Sequence, residues 1–171
     1  TSADGGRFWA RHAWPDQTAT TAANLWARYP GDGADQTPVL LVAHYDSTAA
    51  RDEGYHPDRD PAPGADDNAS GCVGVMVAAD ILSRRAFERT VRFVLFTGEE
   101  QGLLGARAHA RRAAAAGENI VAVLNLDMIA WDERGGPILR LHTRPPGNPG
   151  YPGDEAIAEA FSEVVGAYGL G

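Results

Sequence analysis

Three apolar runs in this sequence each end at side chains able to bind a divalent cation. Val39-Leu40-Leu41-Val42-Ala43 leads into His44-Tyr45-Asp46. Val91 to Phe96 passes through Thr97-Gly98 into Glu99-Glu100, and Ile120 to Leu126 ends at Asp127. A fourth group, Asp66-Asp67-Asn68, sits in the loop Pro63 to Gly71. One imidazole and several carboxylates form a donor set suited to zinc in an oxygen-rich shell. If one carboxylate bridges two ions, the same set describes a two-metal hydrolytic centre.

Such residues act together only if the fold gathers them. Short runs rich in β-branched residues and separated by helical stretches read as buried strands of a parallel sheet, where ligands bind beyond the carboxyl ends. The expected strands are Pro38 to Ala43, Arg92 to Phe96 and Asn119 to Leu126. Ala22 to Tyr29 reads as a further strand, antiparallel to its neighbour, and Pro137 to His142 as another. Helices are expected over Ala69 to Arg85, Gln101 to Ala116 and Asp154 to Tyr168. In the first, Val73, Val77 and Ile81 recur at i+4 with Met76 beside them, while Gly71, Gly74 and Ala78 permit close backbone approach. Thr1 to Thr21 reads as irregular or weakly helical, and Ser47 to Gly64 as a long polar loop of the kind that is usually functional. The fold class that follows is α/β, a three-layer α/β/α sandwich on a mixed, mostly parallel sheet.

The 171 residues, 44% hydrophobic, suffice for one domain. A net charge of −8 and a pI near 5.0 argue against nucleic acid or an anionic membrane as partner. All 15 basic residues are arginine, a compositional bias. The single cysteine, Cys72, excludes an internal disulfide and reads as a small buried residue. No apolar stretch is long enough to span a bilayer and no signal peptide is visible. The expected location is nonetheless secreted or extracytoplasmic.

Each candidate also has a plain structural reading. A histidine at a strand end is often structural, but Asp46 stands where it can orient His44, as partners of metal-bound imidazoles do. Asp66-Asp67-Asn68 could supply a turn and an N-cap, yet that needs one such residue, and adjacent carboxylates repel unless a cation joins them. Glu99-Glu100 could complement a helix dipole. On such a turn the two also point differently, so one can bind metal while the other acts as general base. Asp127 at a buried strand end is costly without a partner.

Taken in order, His44-Tyr45-Asp46-Ser47, Pro63 to Gly71, Glu99-Glu100-Gln101-Gly102-Leu103-Leu104-Gly105 and Asn125-Leu126-Asp127-Met128 resemble the dizinc metallopeptidase family of bacterial leucyl aminopeptidases and aminopeptidase Y. Glutamate carboxypeptidase and glutaminyl cyclase are more distant relatives. The resemblance runs from about Asn24 to Met128. It implies a zinc exopeptidase fold and hydrolysis of N-terminal peptide bonds of peptides or proteins. His44 and Asp127 would hold one zinc, Glu100 the other, and Asp66 would bridge them. Glu99 would be the general base and Asp46 the partner of His44. A cis Asp66-Asp67 peptide is also implied.

The family's second zinc takes a further histidine from a later loop. His12, His56, His109 and His142 do not match that motif, so one well-held ion and a weak second position are expected. The chain thus reads as one catalytic domain lacking its C-terminal segment, with possible loss of N-terminal residues. A carboxypeptidase or dipeptidase relative, requiring a basic pocket, and a non-catalytic domain of the same fold are the alternatives.

Overall fold

The structure is a computed structural model describing residues 7–11, 19–131 and 139–169. The chain divides into two compact units, Thr1–Trp131 and Asp132–Gly171.

The first unit is built on a four-stranded sheet of order β3-β5-β4-β6. Its strands are β3 (Leu25–Tyr29), β4 (Val39–His44), β5 (Val91–Phe96) and β6 (Ala122–Asn125). β4 is parallel to β5, with His44 opposite Phe96, and parallel to β6, with Val42 opposite Asn125. β3 is antiparallel to β5, as expected, pairing Leu25 with Leu95 and Tyr29 with Val91. The uninterrupted apolar runs occupy the two central strands because those strands are covered on both faces.

Leu40, Val42 and Val94 pack with Trp26, Phe96 and Ile120 on one face, and Ala43 and Phe93 pack with Cys72 and Val75 on the other. Helix α1 (Ala69–Leu82) supplies Cys72 and Val75, while helix α2 (Leu104–Ala115) lies over the opposite face, its His109 ring edge-on to Phe96 at 5.6 Å. Helix, mixed sheet and helix make three layers.

In this first unit four expectations change. Ala22 to Tyr29 is interrupted at Asn24, which is buried and bonds across to the β5–α2 turn: its Nδ2 donates to the Gly105 carbonyl (3.0 Å) and its Oδ1 accepts from Thr97 N–H (3.2 Å). Residues before that break form a second, two-stranded sheet, β1 (Arg7–Arg11) antiparallel to β2 (Ala19–Ala23), rather than irregular chain. The expected i+4 stripe of α1 is not its sheet-facing side. Val73, Met76, Val77 and Ile81 are more than half exposed, and contact is made by Gly71, Cys72 and Val75. The helix is apolar all round, so periodicity could not choose the face; close approach did. A Cβ on Gly71 would stand 2.2 Å from the Leu126 carbonyl oxygen. Finally, α2 begins at Leu104 rather than Gln101, because Gly98, Gly102 and Leu103 all adopt positive φ and hold the preceding residues as turns. Its other end agrees, with Gly117 at φ 62°.

In the second unit, helix α3 (Tyr151–Ala167) covers the expected helix. Arg144 fastens its first turn: the backbone N–H and guanidinium all donate to Asp154, holding that carboxylate down to about 2. Leu139 to His142 are not in a strand, and residues 137 and 138 lie outside the described residues. No helix among the described residues is long and apolar enough to cross a membrane.

Candidate metal centre

His44 ends β4 and is buried; its backbone carbonyl accepts the Cys72 thiol proton at 3.0 Å. The Nδ1 of its ring donates to the Asp46 carbonyl oxygen, also at 3.0 Å. The other nitrogen, Nε2, then carries a lone pair, and it faces two carboxylates: Asp67 Oδ1 at 3.1 Å and Asp127 Oδ1 at 3.6 Å. These three ligand atoms lie within 4.8 Å of one another. A lone pair and two anions face each other stably only around a cation, either a proton or a metal.

Such a site fits zinc. It offers one nitrogen and two oxygen donors, with the second ring nitrogen engaged as it is in bound imidazoles. The two carboxylates are partly exposed, leaving access for a further ligand.

Asp46 differs from its expected role. Its carboxylate lies 3.7 Å from His44 Nδ1, while the short contact comes from its backbone. The carboxylate instead accepts from two successive backbone N–H groups, Glu99 and Glu100, each at 3.1 Å. One residue therefore orients the imidazole and also fixes the Glu99-Glu100 turn beside it. That turn lies upstream of α2, so the helix-dipole explanation of the paired glutamates does not apply. Burial pushes the Glu99 carboxyl up; His44 opposes this, and Asp127, Asp46 and Asp67 add to it. Glu100 is likewise pushed up, first by burial and then by Asp67 and Glu99.

Asp66 is not in the cluster. Its Oδ1 accepts from Ala130 N–H at 2.9 Å, and the gathered carboxylate is that of Asp67. The cis peptide is Asp67-Asn68 rather than Asp66-Asp67. The structural reason lies in Asn68. As the N-cap of α1 its Oδ1 must reach Gly71 N–H (3.0 Å), which assigns the even positions of the loop to the fold and leaves Asp67 for the centre. Glu100 is held near Asp67 but is not one of the three gathered residues.

The electrostatics have a measurable consequence. Burial alone would depress His44, but Asp46, Asp127 and Glu99 outweigh it and push the imidazole up from 6.5 to about 9. Without metal, the stability from its charged form is complete below pH 6.5 and lost as pH rises through 9. Urea midpoints of the metal-free chain should fall across that window, by at most about 3 kcal/mol in stability, and His44→Gln should flatten the slope. A midpoint that rises with pH would contradict this charge arrangement.

A cavity of about 700 Å³ between β5 and α2, lined by Trp26, Arg92, Val94 and His109 among others, contains none of the three gathered residues.

Comparison with known proteins agrees with the geometry. The chain is 36% identical over 120 residues to a probable leucine aminopeptidase of Trichophyton verrucosum, a match covering 67% of this chain and 30% of that protein. It is 42% identical over 90 residues to a probable zinc metalloprotease of Pyrenophora tritici-repentis, covering 53% and 20%. The chain thus spans under a third of the length of these relatives. A leucine aminopeptidase precursor from Bacteroides thetaiotaomicron shares the fold with a TM-score of 0.54 at 23% identity, over 72% of this chain and 47% of that one. The family model for peptidase family M28 matches residues 24–169, and with His44, Asp67 and Asp127 gathered at one sheet edge the chain belongs to that family.

Proposed function

We propose that the chain is the metal-binding part of a zinc aminopeptidase, with one zinc held by His44, Asp67 and Asp127. The observation that carries this is His44 Nε2 facing two carboxylates, at 3.1 and 3.6 Å. The names of the relatives support zinc and an N-terminal substrate. Bound there, zinc supplies Lewis acidity, polarising a carbonyl and acidifying water. Glu99 takes the proton of the attacking water at its carboxylate and returns it to the leaving amine, and burial suits it by raising its affinity for that proton. Asp46 keeps the base in place through its two N–H contacts. Asp67, the strongest charge acting on Glu100, rather than Asp66, would be the carboxylate shared with a second, weakly held ion, for which Glu100 would be a ligand.

Two measurements test the reading. Metal analysis after dialysis against dilute zinc should give one ion per chain. Hydrolysis of a leucyl anilide should require zinc and disappear when the leucyl amine is acetylated. Two tightly held ions would contradict the one-ion reading. A chain that binds zinc without hydrolysing any anilide would be a binding domain, and preference for substrates with a free carboxylate would make it a carboxypeptidase relative.

A further inference from the structure

Beyond β6 the backbone leaves the sheet with Leu126 N–H still donated to Val42 (2.8 Å), then turns at Met128, where φ is 51°. From Met128 onward three successive N–H groups find side-chain acceptors, all from one short segment. Met128 N–H donates to Asn68 Oδ1 (3.4 Å), Ile129 N–H to Ser70 Oγ (3.1 Å) and Ala130 N–H to Asp66 Oδ1 (2.9 Å). Asn68 also donates through Nδ2 to the Leu126 carbonyl at 2.9 Å. Ser70 completes the set by donating its hydroxyl to the Asp66 carbonyl at 2.7 Å.

Asn68 therefore holds both neighbours of Asp127, the carbonyl before it and the N–H after it, while being itself the chain neighbour of Asp67. One side chain, with only 1% of its surface exposed, sets the spacing between two of the three gathered residues. Its bonds have nowhere else to go, since a buried amide left unpaired is costly. We propose that Asp66, Asn68 and Ser70 are positioning residues that preorganise Asp127 against Asp67 and His44 for metal binding, with Asn68 dominant. This rests on the zinc reading above. The alternation is the device: even positions 66, 68 and 70 grip the β6 exit, and odd position 67 faces the ion.

Asn68→Asp separates this role from helix capping. The carboxylate keeps an acceptor for Gly71 N–H but cannot donate to Leu126. Zinc affinity, measured by competition with a chromophoric chelator, should fall about tenfold or more, within the range seen when partners that orient metal ligands are lost. Thr90→Ala serves as the control for simple destabilisation, since it removes the buried acceptor of Gly31 N–H elsewhere in the fold and should leave the affinity within about twofold. Asp66→Ala and Ser70→Ala should each weaken zinc severalfold, and Asp66→Asn, which retains the acceptor for Ala130 N–H, should restore it. Amide exchange gives a readout free of metal: Ala130 should lose protection in Asp66→Ala and Ile129 in Ser70→Ala. These two variants keep the test decisive should Asn68→Asp fail to fold. Unaltered affinity in the variants, or amides 128–130 exchanging freely in the unchanged chain, would overturn this inference alone. Absence of zinc binding by the unchanged chain would overturn it together with the functional reading.

Discussion

Glu99→Gln is expected to lower the turnover of the active protein by about 10²–10⁴-fold while leaving its zinc content unchanged. The substitution keeps size and backbone. The Glu99 N–H still donates to Asp46, so the turn that presents the side chain survives. What is lost is the ability to accept a proton, and an amide cannot replace a carboxylate in that. Zinc should stay because Glu99 is not among the three gathered residues. Near-normal turnover would remove Glu99 from the role of base, and loss of zinc would make it a ligand instead.

The other large effect separates two neighbouring aspartates. Asp67→Asn should weaken zinc by about 100-fold or more, because it removes a charged ligand atom 3.1 Å from His44 Nε2. Asp66→Asn should leave affinity within about twofold, since its oxygen still accepts from Ala130 N–H. Chelator competition on both variants decides the matter. Zinc lost from Asp66→Asn and kept by Asp67→Asn would return the ligand to position 66 and contradict the observed geometry.

That pair also shows what the sequence could and could not reveal. β4 and β5 were legible because both faces of each are covered, so their composition is apolar without alternation. The arrival of His44, Asp127 and the paired glutamates at one edge followed from parallel strand direction alone. Choosing among Asp66, Asp67 and Asn68 needed the loop's local conformation, which residue type does not encode when three similar side chains adjoin. Composition does not mark the start of α2, for a related reason. Glu99 to Leu103 have ordinary helix-forming composition apart from Gly102, and the positive φ at Leu103 has no compositional signature. The inner side of α1 does not follow its large apolar residues, because close approach to the sheet selects small ones. The pairing of β1 with β2 depends on backbone partners that no apolar alternation announces.

β6 lies at the rim of the sheet as described, laddered to β4 along one side only, with Val121 and Val123 about half exposed. Asp127 follows this outermost strand by two residues, whereas His44 ends an inner one. An ion gripped by both would be a staple between rim and interior, adding a tie where no further strand among the described residues lends one. Loading the centre and securing the sheet's margin are then a single thermodynamic event, and a chain stripped of its ion should fray first along β6.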